Sequence, residues 1–397
     1  MYRNTYVEIN LDNIKRNIEN ITKYYNNYTY YFGVVKGNAY GHGNYVVNTM
    51  IESGINYLAV SSLEEALNVR KWNKDIPILS LQPISLEFIN VCLENNITIT
   101  VHDYDYFKKL SEIDLMQQLK FHLKLDTGMN RLGVNNEEQV KKIYDASREN
   151  KNIFFEGIYT HMGTSGMNDK FWDNQLKAFI DLTKSINLSE ILIVHIDRSL
   201  TMMCHDKISF CNGVRIGITM YGYNQIPIRG HGWKAKLRDI KNKLNRKKLS
   251  ISPVIDDCPV QLKPALSLYS EIIQIKKVKK NKFVGYGVSY KTKNVMLVAT
   301  IPIGYADGVN LKNSGRDVVI NNKRYPIIGS VNMGMISVAI DDSVKLGDRV
   351  TIIGEGISIR EVSRYLNTTI YEVMATICTS VPRVYIENKK VIYTEEF

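Results

Sequence analysis

The first 225 residues alternate short apolar runs with polar segments of helical period, and this alternation limits the fold more than any other feature. YVEINL reads as a strand. LDNIKRNIENITKYY follows with Leu11, Ile14, Ile18 and Ile21 at helical spacing and Asp12 near its start. YYFGVVK reads as the next strand, and GHGNYVVNTMIESG as a helix ending near Gly54. YLAVS, IPILSL, ITITV, KFHLKLD, IFFEGIYTHM, ILIVHID and VRIGITMYG continue the strands, with helices expected around LEEALNVRKW, SLEFINVCLENN and DYDYFKKLSEI. Repeated β-then-α units imply parallel strands joined by crossover helices. Their number suits a TIM-like (β/α)8 barrel better than an open sheet.

After about residue 262 the pattern changes to short strands punctuated by Gly, Asn and Asp, among them KFVGYGVSY, VMLVATIPIGY, DVVINNKRYPIIGSV and RVTIIG. The expected fold class is therefore α/β plus β. A barrel is expected over residues 10–228, a basic linker or insertion over 229–261, and a mainly β domain over 262–397 with residues 1–9 packed on it.

The net charge of +11 raises the question of nucleic acid, but its distribution argues against it. Residues 229–249 hold nine Lys/Arg and one Asp, a net of +8, so the rest of the chain carries only +3. One local basic run reads as a solvated surface helix or linker. No apolar run approaches the ~20 residues needed to span a bilayer, and MYRNTYVEINLDNIKRNIENI lacks the apolar core of a signal peptide. Cys92, Cys204, Cys211, Cys258 and Cys378 are odd in number and lack CxxC spacing. They read as reduced thiols of a cytoplasmic protein, and no metal site is expected.

In a parallel barrel, functional groups gather at the C-terminal ends of strands. Lys36 follows YYFGVV. Lys124 and Asp126 end KFHLKLD, with Arg131 in the next turn. His161 follows IFFEGIYT, Ser199 follows ILIVHID by two residues, and Arg215 lies in the last barrel strand. These groups would converge on one mouth.

At these residues the sequence resembles the alanine racemase family. VVKGNAYGHG is similar to the family's pyridoxal-phosphate lysine motif and KLDTGMNRLG to its second barrel motif. THM, VRIGITMYG, VGYGVSY, IPIGYADG, GSVNMGM and VPRVY follow in the family's order, across nearly the whole chain. The resemblance implies that Lys36 holds pyridoxal 5'-phosphate, the electron sink for removing an amino acid's α-proton. It implies two bases on opposite faces of Cα, Lys36 and Tyr286, the tyrosine arriving from the partner subunit of a homodimer. A phenol, with an ordinary pKa near 10, needs a positive or hydrogen-bonding neighbourhood for this role.

It further implies that Arg215 faces the pyridine nitrogen and, staying protonated, keeps that nitrogen unprotonated. His161 would hydrogen-bond and orient Arg215. Tyr40, Ser199, Thr379 and the backbone N–H groups of Gly217 and Ile218 would hold the phosphate. Arg131, Tyr305 and the N–H of Met333 would bind the substrate carboxylate. Lys124 corresponds to a lysine that the family often carbamylates. His42 takes no part in this scheme and reads as a packing or turn histidine.

Three departures from the family pattern stand out. Gly334 follows Met333 where the family has Asp, Thr379 stands near the place of a gate tyrosine, and Asp197-Arg198 replaces a favoured asparagine. Losing a ring and a carboxylate opens space beside the substrate side chain, so the expected substrate is alanine or a larger or more polar amino acid such as serine, histidine or a basic residue. A pyridoxal-phosphate decarboxylase on the same barrel needs no second base. A non-catalytic pyridoxal-phosphate carrier resembles the barrel alone. The sequence shows none of the cysteine-and-glycine motifs associated with those decarboxylases, and the β domain with Tyr286 and Tyr305 speaks against the carrier.

Overall fold

The computed structural model describes residues 2–165, 170–224 and 259–396, with Leu237, Ile240 and Leu244. The basic stretch read as a linker therefore lies, apart from those three positions, outside the described residues. Two compact units are distinguished, one of residues 1–13, 37–46 and 264–397, the other of residues 14–36 and 47–263. Residues 37–46, read as part of the barrel run, group with the β-rich unit.

The first strand, β1 (Tyr6–Asn10), belongs to that β-rich unit. After it, helix Leu11–Tyr24 buries Ile14, Ile18 and Ile21 completely, as the helical spacing of the apolar residues requires. The barrel strands are β2 (Tyr30–Val34), β3 (Tyr57–Val60), β4 (Ile78–Ser80), β5 (Ile97–Val101), β6 (Leu119–Lys124), β7 (Ile153–Tyr159), β8 (Ile193–His195) and β9 (Gly213–Ile216). They form one parallel sheet in the order β8-β7-β6-β5-β4-β3-β2-β9. β3 and β5 are buried along their whole length, the burial that continuous apolar runs such as YLAV imply for strands covered on both faces. Helices Leu63–Arg70, Tyr104–Ser111 and Glu137–Glu149 begin on side-chain caps from Ser62, Asp103 and Asn136. The seam between β8 and β9 is narrow. It is closed by an isolated parallel bridge at Arg198 and Arg215, with Arg215 N donating to Asp197 O at 3.0 Å and Asn212 N to Val194 O at 3.1 Å.

One expected helix starts later than its sequence suggests. The helix read over GHGNYVVNTMIESG spans only Val46–Glu52, because the residues before it turn the other way. Gly37, Asn38, Ala39, Tyr40 and Gly41 all take positive φ, between 51° and 79°. Gly41 N donates to Gly37 O at 2.9 Å, closing one left-handed helical turn. For non-glycine residues that hand costs about 1–2 kcal/mol each, so surrounding contacts must hold it. A Cβ on Gly41 would lie 2.2 Å from Met374 O, and Arg383 Nε donates to Gly41 O at 3.3 Å. His42 is fully buried, its Nδ1 bonding to Ala39 O at 3.1 Å and Tyr40 O at 3.0 Å.

The β-rich unit is built on a ten-stranded sheet. Its members besides β1 are β10 (Leu266–Glu271), β11 (Gln274–Val278), β14 (Met296–Ile301), β15 (Asp317–Ile320), β16 (Lys323–Ile328), β17 (Ile336–Ile340), β18 (Arg349–Ile353), β19 (Arg383–Glu387) and β20 (Lys390–Glu395), while β12 (Phe283–Val284) and β13 (Tyr290–Lys291) form a separate ribbon. β1 sits deep in the order, antiparallel to β10 and parallel to β19, so the N-terminal residues and the last third of the chain share one sheet.

Candidate active site

Strand geometry delivers the barrel candidates to the C-terminal ends of their strands. Lys36 stands two residues beyond β2, where Val35 N still bonds Ala59 O at 3.0 Å and holds the backbone to the sheet. Lys36 is exposed, and its ammonium is held below the ordinary lysine range, first by desolvation and then by Arg131. Glu65 opposes that shift and Arg215 adds to it. Lys124, the last residue of β6, is buried with its Nζ 4.4 Å from the centre of the Tyr159 ring. Burial, Arg215 and Arg131 push it well below the usual lysine value, so the amine is disposed to be neutral.

Asp126 organises the loop that carries Arg131. Its Oδ1 accepts from Gly128 N at 2.9 Å and Asn130 N at 3.0 Å, and its Oδ2 from Arg131 N at 2.9 Å. Desolvation works against its charge, but these backbone donors bring the carboxyl below its ordinary range. Gly133 allows the loop to fold back on β6, since a Cβ there would lie 2.6 Å from Asp126 N.

Arg215 is buried in β9 and its Nη donors are occupied. Nη1 donates to His195 Nδ1 at 2.7 Å and His195 O at 2.6 Å; Nη2 donates to Thr160 O at 2.7 Å and Ile196 O at 3.1 Å. Burial lowers its pKa to about 10, which leaves it charged near neutrality. The imidazole that bonds Arg215 is thus His195, not His161. His195 is the last residue of β8, whereas His161 lies two residues beyond the end of β7, and the orienting role of His161 stays a proposal. His161 is half-buried and held neutral, by desolvation first and by Arg215 and Lys124 next.

Ser199 and the segment after β9 form a small cluster of donors. Ser199 Oγ accepts from Gly217 N at 2.8 Å and Thr219 Oγ1 at 3.1 Å, leaving its own proton to donate. Gly217 N–H is therefore committed to Ser199 here, and would have to exchange that bond to reach a phosphate oxygen. Ile218 is buried beside it. Asp197, one of the departures, is buried and accepts from Tyr28 Oη at 2.9 Å.

The remaining candidates lie in the β-rich unit. Tyr40 is buried in the left-handed turn, its ring 5.8 Å from that of Tyr371. Tyr286 is 76% exposed on a short turn, its carbonyl accepting from Ser289 Oγ and Ser330 Oγ at 3.2 Å each. Tyr305 N donates to Asn332 O at 3.0 Å and Ala306 N to Met333 O at 2.9 Å, so the backbone itself brings Tyr305 and Met333 side by side. Both side chains are exposed. A Cβ on Gly334 would meet nothing within 4 Å. Thr379 is exposed, and its carbonyl accepts from Arg383 Nη1 at 3.0 Å.

Sequence reading passed over His122, Glu156, His195 and Arg383. The first three had a visible mark: each is a polar residue inside an otherwise apolar strand run, FHL, FEG and VHI. Arg383 lies in VPRVY, where its side chain proves to be buried and to donate to the carbonyls of Ile377, Cys378, Thr379 and Val381.

The donor set at the barrel end fits pyridoxal phosphate: an amine whose ammonium is disfavoured, a charged guanidinium with its Nε–H left over, and a hydroxyl–amide cluster suited to phosphate. Comparison with known proteins agrees. The alanine racemase N-terminal domain family matches residues 9–225, and the alanine racemase C-terminal domain family matches residues 265–385. The chain is 33% identical to alanine racemase 1 of Bacillus subtilis (strain 168), with 98% of this chain and 95% of that protein covered. It is 35% identical to alanine racemase of Geobacillus kaustophilus (strain HTA426), over 98% and 97% of the two chains. The crystal structure of alanine racemase from Bacillus anthracis with bound L-Ala-P superposes with a TM-score of 0.87 at 33% identity, covering 100% of this chain and 98% of that one.

Proposed function

The chain belongs to the alanine racemase family and is a pyridoxal-phosphate-dependent racemase, and we propose that it interconverts L- and D-amino acids with two bases, Lys36 and Tyr286, in a homodimer whose active sites are shared between subunits. The observation that carries this reading is the placement of Lys36: an amine at the end of a rigid strand, flanked by Arg131 and Arg215, with its ammonium disfavoured. When bound, pyridoxal phosphate supplies the electron sink that lets Cα lose its proton. Lys36 Nζ takes or returns that proton on one face and Tyr286 Oη on the other. Support for the partner's tyrosine is its exposure: a phenol 76% open to solvent in one chain has room for another chain's mouth.

Arg215 offers its Nε–H to the ring nitrogen and stays charged, so that nitrogen stays unprotonated. Ser199, Gly217 and Ile218, with Tyr40 and Thr379, hold the phosphate. Arg131, Tyr305 and Met333 N–H receive the substrate carboxylate. Lys124 is a candidate for carbamylation, because a neutral amine adds carbon dioxide and releases one proton. The resulting anion would stand among Arg131 and Arg215, relieving a cluster of like charges.

The substrate we propose is an amino acid larger or more polar than alanine, such as serine, histidine or a basic residue. The open space at Gly334 and the exposed Thr379 support it. We also place the enzyme in the cytoplasm, in keeping with the free thiols of Cys92, Cys211 and Cys378. Among the described residues no helix is long and apolar enough to cross a membrane. The test is kcat/KM for a panel of L-amino acids by loss of optical rotation. A larger or polar substrate within reach of alanine is expected; alanine ahead of every other by ~10²-fold would overturn the substrate assignment.

A further inference from the structure

Behind Arg215 the barrel core holds a continuous line of buried polar groups. His195 Nε2 lies 2.8 Å from His122 Nδ1, and His122 Nε2 lies 3.1 Å from Glu156 Oε2. Glu156 Oε2 also accepts from Tyr57 Oη at 2.7 Å and Thr98 Oγ1 at 3.4 Å, and Lys120 Nζ stands 3.5 Å from Oε1. His122 and His195 are fully buried and Glu156 is 4% exposed.

The direction of every proton in this line follows from its two ends. Arginine can only donate, so His195 Nδ1 must accept and its Nε2 must carry the hydrogen. That hydrogen points at His122 Nδ1, which must accept in turn. His122 Nε2–H then donates to Glu156, an ionised carboxylate that only accepts. Reversing either imidazole would set two N–H groups against each other. The rings are also held against rotation. His195 is sandwiched between Phe32, 4.5 Å away at 10°, and Tyr159, 4.7 Å away at 13°. Any Cβ at Gly157 would lie 2.6 Å from the His122 ring.

We propose that Glu156, His122 and His195 are positioning residues that lock the Arg215 guanidinium in one orientation, with its Nη donors turned inward and its Nε–H reserved for the cofactor ring. This rests on the reading that Arg215 faces that ring. Glu156 anchors the line: against the desolvation that opposes them, hydrogen bonds from His122 and Tyr57 hold its pKa down to about 2, and its carboxylate is the acceptor from which both tautomers follow.

The holoenzyme labelled with 15N in histidine reads the line directly, with assignments from His122→Gln and His195→Gln. Both residues are expected as neutral, Nε2-protonated imidazoles at neutral pH. An Nδ1-protonated or doubly protonated signal from either overturns the proposal, and no substitution at Glu156 is needed to see it. In a second arm, Glu156→Gln is expected to keep its bound cofactor while kcat falls by about 10–100-fold with little change in KM, the scale of a small misplacement at the reacting centre. The visible absorption band of its cofactor should move in the direction it moves in Arg215→Lys. If Glu156→Gln lowers thermal stability but leaves kcat and the band unchanged, the three residues are only structural and the proposal fails. If Arg215→Lys itself leaves the band in place, Arg215 does not face the ring and that premise fails, while the histidine signals still judge the line.

Discussion

The two regions that carry candidate residues are built in opposite ways. At the barrel end, Lys124 and Arg215 are buried and hydrogen-bonded or ring-stacked; burial lowers the pKa of each, and Arg215 adds to the shift at Lys124. In the β-rich unit, Tyr305 and Met333 are held by backbone hydrogen bonds and Tyr286 by serine hydroxyls on its carbonyl, but their side chains lie open to solvent. The barrel groups owe their chemistry to an environment that one chain supplies. The exposed groups have position without environment. The proposed role of Tyr286 as a base needs a positive or hydrogen-bonding neighbourhood, so it requires that another surface cover the ring.

The strongest way to break this contrast is at Lys36. Lys36→Ala should abolish both the covalent cofactor link and racemisation, read by the cofactor's visible absorption and by polarimetry; residual turnover above background would remove Lys36 from the mechanism. Tyr286→Phe should reduce racemisation by about 10²–10⁴-fold, the range of a lost acid–base group. It should also leave α-proton exchange into D2O for one enantiomer only, since Lys36 still serves one face. Equal exchange of both enantiomers would mean that Tyr286 is not the second base.

Mixing Lys36→Ala chains with Tyr286→Phe chains tests whether the site is shared. Random pairing puts half the dimers in the mixed form, each with one site free of both changes, so activity should recover to about a quarter of the unmodified enzyme. No recovery would place Tyr286 in the same chain's site. Thr379→Tyr with Gly334→Asp should then shift the kcat/KM ratio toward alanine by about 10–200-fold, as expected for restoring bulk in a side-chain pocket. An unchanged ratio would place specificity elsewhere.

The smallest effect at neutral pH concerns the turn after Lys36. Burial lowers the pKa of His42 from 6.5 to about 4. The unfolded chain therefore takes up this proton as pH falls below 6.5, while the folded chain resists until about 4. Stability that is complete above the first value is lost between the two, by ~3 kcal/mol. His42→Gln, which keeps a donor for Ala39 O and Tyr40 O, should flatten the pH dependence of the urea midpoint in that window. An unchanged slope would show that His42 does not contribute it.

Much of this was legible beforehand, and the reason differs from place to place. Ile14, Ile18 and Ile21 lie on one face because helical period is a local property, and YLAV reads as a covered strand because parallel strands need apolar residues on both sides. The left-handed turn at Asn38, Ala39 and Tyr40 was not legible. None of these residues prefers that hand strongly enough to announce it, and the turn stands because Arg383 and the close approach of Met374, more than 300 positions later, hold Gly41. That His195 bonds Arg215 was not legible for a similar reason: His161, two residues past β7, and His195, at the end of β8, look alike along the chain, and only the fold decides that His195 meets the guanidinium.

The sequence by itself determined that the chain alternates into a barrel, that Lys36 ends a strand, and that the motifs stand in the family's order, because period and residue type are written along the chain. Only the tertiary structure decided that His122, His195 and Glu156 form one line behind Arg215, and that β1 pairs antiparallel with β10 and parallel with β19. Those are pairings between residues far apart in sequence, chosen by which strands the barrel and the ten-stranded sheet bring into register, and no local pattern encodes a neighbour that the chain must fold to meet.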